Sequence, residues 1–104
     1  MKVFDHVGIP TDKVQKDERF VERTSVYVTD PKKHPFCVEW LRYLPESIAP
    51  EKLRTSQHIA FHVDSIEAEA EGLTVLLEPF GSVAGHRVGF YETPEGVIVE
   101  LMEY

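Results

Sequence analysis

Short runs rich in Val, Ile, Phe and Tyr recur along the chain between Pro, Gly and Asp punctuation, and no stretch holds an apolar period of 3.6 for three turns. The pattern predicts a domain made mostly of sheet. The predicted strands are Lys2 to Ile9, Glu22 to Thr29, Phe36 to Tyr43, Gln57 to Val63, Leu73 to Glu78, Arg87 to Glu92 and Val97 to Glu103. The polar stretch Thr11 to Phe20 is assigned to no element. Asp64-Ser65-Ile66-Glu67 matches a capping box, with Asp64 as N-cap and Glu67 reaching back. It opens a helix of about two turns that Gly72 closes, too short to cover a whole sheet face. Thr93-Pro94-Glu95-Gly96 reads as a tight turn joining the last two strands in a hairpin. Leu44 to Pro50 interrupts the pattern near the middle and is the predicted linker.

The same arrangement occurs on both sides of that linker. Phe4-Asp5-His6-Val7-Gly8-Ile9 resembles Ser56-Gln57-His58-Ile59-Ala60-Phe61, and Cys37 to Tyr43 resembles Ile98 to Tyr104. Each half therefore opens with a histidine strand and closes with a glutamate strand. His6 and Glu39 are 33 residues apart and His58 and Glu100 are 42 apart, so the first half lacks a piece that the second keeps, assigned here to a helix.

Strand alternation puts His6 on one face with Phe4, Gly8 and Pro10, and His58 on one face with Ala60 and His62. The small residues two places after each histidine leave space beside its ring. Glu39 falls on the face of Cys37, Leu41 and Tyr43, and Glu100 on that of Ile98 and Met102. An ionised carboxylate on an apolar face costs several kcal/mol unless it finds a cation, a hydrogen-bond network or a metal. Any one of these residues alone reads as structural, with the glutamates paired to Arg42, Arg54 or Arg87. Together, at matched points of a duplicated unit, His6, Glu39, His58 and Glu100 form a set that would suit a divalent ion such as Mn, Fe, Co, Ni or Zn. His62 shares the His58 face and is a candidate for supporting the site or touching substrate. His86, beside the Gly81 to Gly85 loop, and His34, in a Pro-rich turn, are expected to face solvent. Cys37 has the parity to enter the cleft.

Composition narrows the function classes. The 104 residues are 42% hydrophobic and 28% charged, which fits one packed domain and neither disorder nor a fibre. A net charge of −7 repels phosphate backbones and anionic lipid, so neither nucleic acid nor membrane is an expected partner. No apolar run approaches a bilayer span and the first residues lack a secretory apolar core, so the expected location is cytoplasmic. The single cysteine, Cys37, excludes an internal disulfide and a one-chain cysteine zinc cage. Nucleophile-elbow, Walker, dinucleotide and His-Glu-x-x-His motifs are all absent.

Asp5 to Pro10, His58 to Asp64 and Gly96 to Leu101 together resemble the vicinal oxygen chelate superfamily, which includes glyoxalase I, methylmalonyl-CoA epimerase, extradiol dioxygenases and fosfomycin or bleomycin resistance proteins. The resemblance spans nearly the whole chain and implies an α+β fold. Two βαβββ modules with reduced helices, about residues 1–46 and 55–104, would form a mostly antiparallel curved sheet around a cleft. Carried onto this chain, it implies metal ligands at His6, Glu39, His58 and Glu100. The glutamate at Glu39 is most similar to glyoxalase I, although a short branch with a Val-Glu-Trp-Leu-Arg pattern fits as well. The implied chemistry is that of a lyase or isomerase: a small oxygenated substrate is bound through two neighbouring oxygens and stabilised as an enediolate, with Glu100 or Glu39 as base. Arg87 and His86 are candidate contacts for an anionic substrate.

Two other classes fit the same residues, a binding protein that sequesters an aromatic or antibiotic ligand and a degenerate scaffold whose four residues are relics. The sparse helical cover further predicts a homodimer that buries the open sheet face.

Overall fold

The computed structural model describes residues 1–81 and 86–104. Eight strands form one curled mixed sheet: β1 (Lys2–Pro10), β2 (Arg19–Val21), β3 (Val26–Val28), β4 (Val38–Tyr43), β5 (His58–Val63), β6 (Thr74–Gly81), β7 (Arg87–Glu92) and β8 (Ile98–Glu103). Two short helices interrupt them, α1 (Glu51–Thr55) and α2 (Ile66–Glu69). The strand order is β2-β3-β4-β1-β5-β8-β7-β6. In each half the first strand runs parallel to the last, β1 beside β4 and β5 beside β8, and the rest meander antiparallel. The two halves meet where β1 and β5 pair antiparallel, which puts the two histidine strands side by side at the centre. This is the expected α+β arrangement of a curved sheet around a cleft.

Apolar residues divide between two sides of the sheet. Val26, Val28 and Leu41 from the first half, and Leu53, Val88, Phe90 and Ile98 from the second, form buried clusters on the cleft side. On the reverse side, Val63, Tyr91 and Leu101 pack against Ile66 of α2, which is wholly buried. No helix lies between β1 and β2, consistent with the shortened first half.

Several local expectations are corrected. The predicted strand Glu22 to Thr29 is broken by a 3-10 turn at Glu22–Thr24 and by Ser25 in the left-handed region at φ 49°, so only Val26–Val28 is extended there. The unassigned stretch ends in β2, which pairs with β3. The linker leads into α1, whose Leu53 is 1% exposed and anchors the cleft-side core. Ser65, not Asp64, caps α2: its hydroxyl accepts the Ala68 N–H at 3.2 Å, because Ser65 is the last residue with extended backbone. Glu67 does not reach back, since its carboxylate accepts from Arg87 at 2.8 Å. The Thr93–Gly96 turn forms as predicted, with Gly96 at φ 94° donating its N–H to the Thr93 carbonyl at 2.9 Å.

Candidate metal centre

The register of the central strands sets the site. Gly8 of β1 lies beside both Glu39 of β4 and His58 of β5, while Ala60 of β5 lies beside both Glu100 of β8 and His6 of β1. Two small residues thus stand at equivalent points, each next to a histidine and a glutamate. The fit is tight: a β-carbon on Gly8 would come within 2.1 Å of His58 Cε1.

His6, Glu39, His58 and Glu100 each offer one ligand atom, and the four atoms lie within 4.8 Å of one another. Glu100 Oε1 is 3.1 Å from His58 Nε2 and 3.3 Å from His6 Nε2. Glu39 Oε1 is 3.3 Å from His6 Nε2 and 3.9 Å from His58 Nε2. Ligand atoms held about 2.1 Å from a shared ion in a tetrahedron stand about 3.4 Å apart, and the four histidine–glutamate spacings lie near that value.

Among the described residues, His6 Nε2 and both ring nitrogens of His58 are buried without a hydrogen bond. Buried imidazole nitrogens aimed at carboxylate oxygens, with no proper hydrogen bond between them, are what ligands to a divalent cation look like. The arginines that would give the glutamates an ordinary structural role are engaged elsewhere: Arg42 with Glu18, Arg54 with the Ala49 carbonyl, and Arg87 with Glu67 and Glu103.

The electrostatics of the cluster agree. Burial works against the His6 imidazolium, yet the Glu100 and Glu39 carboxylates overcome it and push the pKa up to about 11. Burial likewise works against the Glu100 carboxylate, but His58 and His6 pull its pKa down to about 2. Burial raises the Tyr43 phenol, and the negative charges of Glu39 and Glu100 raise it further. The cleft is therefore a cation-seeking site that takes up protons when nothing else supplies positive charge.

A cavity of about 330 Å³ opens above the cluster. Its apolar walls include Val26, Leu41, Leu53, Phe80, Val88 and Phe90, and His6, Glu39 and Glu100 lie at its polar patch. His62 also lines it, with Nε2 3.0 Å from Asp5 Oδ1 and 2.9 Å from the Tyr104 hydroxyl. Its ring stacks on Tyr104 at 4.4 Å.

Other candidates are placed differently from expectation. His86 is half-buried, lines the cavity and meets the Tyr104 ring edge-on at 4.0 Å, so it does not simply face solvent; residues 82–85 of the loop beside it lie outside the described residues. Arg87 is not among the cavity-lining residues and is held by Glu67 and Glu103. His34 is half-buried against Trp40, outside this cavity, and its Nδ1 accepts the Phe36 N–H at 3.0 Å. Cys37 has a positive φ of 58° just before β4, which breaks the alternation that would have carried it into the cleft.

Asp5 was missed. Alternation turns it away from His6, but β1 carries one extra residue between Phe4 and His6 relative to β5. This bulge brings Asp5 to the cleft and sends Phe4 to the reverse face, where its ring meets Phe61 edge-on at 6.2 Å. No signal in the sequence marks the bulge.

No protein-family model and no curated relative matches the chain in sequence. Solved structures do match in fold. A hypothetical protein from Bacillus halodurans C-125 superposes with a TM-score of 0.74 at 21% identity, covering 99% of this chain and 94% of that one. A methylmalonyl-CoA epimerase from Mycobacterium tuberculosis superposes at 0.64 and 18% identity, covering 97% of this chain and 87% of its own. A glyoxalase/bleomycin resistance protein/dioxygenase superfamily member from Vibrio splendidus 12B01 aligns more loosely, at 0.45 and 14% identity, over 100% of this chain and 98% of its own. The chain has the vicinal oxygen chelate fold.

Proposed function

We propose that the chain is a divalent-metal-dependent isomerase or lyase of the glyoxalase and epimerase kind, acting on a small substrate with two neighbouring oxygens. One observation carries this reading: two histidines and two glutamates converge, with ring nitrogens lacking hydrogen bonds, and three of the four, His6, Glu39 and Glu100, line an apolar cavity. The fold shared with an epimerase is in keeping with it.

His6, Glu39, His58 and Glu100 would hold the ion, which would be Zn, Ni, Co, Mn or Fe. An ion held there would supply Lewis acidity toward the substrate oxygens. Glu39 is the better candidate for taking a proton from the carbon beside them. Its side chain is 18% exposed against 9% for Glu100, and its oxygen lies farther from His58, so it can turn towards substrate while Glu100 stays anchored by both imidazoles. Tyr43, kept protonated by burial and the neighbouring carboxylates, is a hydrogen-bond donor in the wall. The apolar residues around it exclude water and accept a compact alkyl or aryl body. At about 330 Å³ the cavity is at the small end of ligand pockets, which suits a small substrate or the reacting end of a larger one.

The test is ion-dependent proton exchange. Small α-hydroxy carbonyl compounds are incubated in D2O with protein loaded with each ion, and deuterium entry beside the oxygens is followed by NMR. Exchange that needs the ion and is lost in Glu39→Gln supports the reading; absence of ion-dependent exchange across the panel counts against it.

The reading includes a homodimer. α2 packs on β8, and among the described residues no helix covers the reverse face of the first half, where Phe4 is 50% exposed. Sedimentation at micromolar concentration should show a species of twice the chain mass; a monomer overturns this part.

A further inference from the structure

The two halves of the site differ in how their histidines are held. His6 Nδ1 lies 2.7 Å from Asp5 Oδ2, with the imidazole 4% and the carboxylate 20% exposed. His58 has no such support: among the described residues, neither of its ring nitrogens makes a hydrogen bond. The residue before His58 is Gln57, which precedes β5, and β1 alone of the two histidine strands carries the bulge in their pairing. Behind the ligating histidines the duplication is therefore broken.

Without the bulge, Asp5 would face away from His6 on the reverse side of the sheet. The extra residue spoils one step of the ladder between the central strands and leaves Phe4 half exposed. What is gained is a carboxylate whose two oxygens reach two different imidazoles, Oδ2 to His6 and Oδ1 to His62.

We infer that Asp5 is a positioning residue for the ion site: its carboxylate accepts the His6 Nδ1–H, fixes the ring orientation and tautomer that present Nε2 to the ion, and ties that ligand to His62 in the cavity wall. An imidazole has two nitrogens, and a hydrogen bond to one decides which is free to coordinate. His6 thus enters the site pre-oriented, while His58 has no partner behind its Nδ1 and is confined by packing between Gly8 and the edge-on ring of Phe90 at 5.2 Å, with Glu100 in front of its Nε2.

The inference rests on the proposed ion site, so the experiment includes a variant that tests that site alone. Co2+ is titrated into the full-length wild type, Asp5→Ala, Asp5→Asn and His6→Ala, with binding read from the visible spectrum and by competition with a chelator. The ring-nitrogen NMR signals of His6 are recorded in the Zn2+-loaded forms. Loss of an outer carboxylate behind a ligating histidine typically weakens metal binding 10–100-fold, and Asp5→Ala should fall in that range. Asp5→Asn, which keeps one acceptor oxygen but no charge, should lie between it and the wild type. The His6 Nδ1–H resonance should sit downfield in the wild type and shift in both variants, a change that a merely structural role would not produce.

Wild-type Co2+ affinity in Asp5→Ala, alongside weakened binding in His6→Ala, overturns the role of Asp5 and leaves the site standing. Unchanged binding in His6→Ala, or no binding by any form, removes the site and this inference with it. Should Asp5→Ala fail to fold, Asp5→Asn decides: wild-type affinity with an unmoved Nδ1–H signal overturns the assignment.

Discussion

Gly8 and His58 are in such close register that a single methyl group cannot stand between them: a β-carbon on Gly8 would lie 2.1 Å from Cε1, 2.3 Å from Nε2 and 2.7 Å from Nδ1 of a ring that is 1% exposed. The glycine is a steric requirement of the site, since His58 has no room to retreat. Gly8→Ala should lower divalent-ion affinity at least tenfold and destabilise the protein by about 1–3 kcal/mol through overpacking. Chemical denaturation and metal titration of the same preparation check both effects.

The two glutamates should separate in their effects. Glu100 is held between both histidines and Glu39 is looser and more open to the cavity. Glu39→Gln should keep the ion and lose about 10²–10⁴-fold in turnover, the usual range for a missing general base. Glu100→Gln should lose the ion first, with activity falling for that reason. Metal content and rate measured on each variant distinguish the two roles.

The metal-free protein should have a stability maximum on the acidic side of neutrality. The His6 pKa is raised in the fold from 6.5 to about 11, so its contribution is full below 6.5 and is lost as pH rises towards 11. The Glu100 pKa is depressed from 4.5 to about 2, so its contribution is present above 4.5 and is lost as pH falls towards 2. Thermal unfolding in chelator should therefore be highest between about pH 4.5 and 6.5 and decline on either side. Since an ion must displace the proton on His6 Nε2, apparent metal affinity should rise with pH over the range where His6 is protonated.

α1 is only five residues long, yet Leu53 places a fully buried side chain in both the core and the cavity wall. Leu53→Ala should cost about 2–5 kcal/mol of stability, measured by urea unfolding. A loss under 1 kcal/mol would show the helix to be peripheral.

Much of this architecture was legible in the chain because period-two patterning and internal duplication depend on side-chain chemistry alone. The paired histidine and glutamate strands identified His6, Glu39, His58 and Glu100 as a group, and the small residues Gly8 and Ala60 predicted the space beside the rings. What escaped is set by backbone register and by tertiary packing. The bulge that turns Asp5 inward depends on how β1 pairs with β5, and the left-handed residues Ser25 and Cys37 have no glycine to mark them. His86 sits against Tyr104, a residue 18 positions away, so only the assembled sheet reveals their contact. The cap of α2 was misplaced by one residue because Asp64 and Ser65 are both good N-caps and only backbone geometry chooses between them.

The most direct test of the central claim is elemental analysis of protein purified without chelator or nickel resin, followed by reconstitution. Close to one Mn, Fe, Co, Ni or Zn ion per chain is expected, removable by chelator, restored on adding metal and much reduced in the His6→Ala and Glu100→Gln variants. A wild-type protein that carries no such ion and takes up neither Co2+ nor Zn2+ would contradict it, and would leave the cleft as a site for binding an apolar ligand.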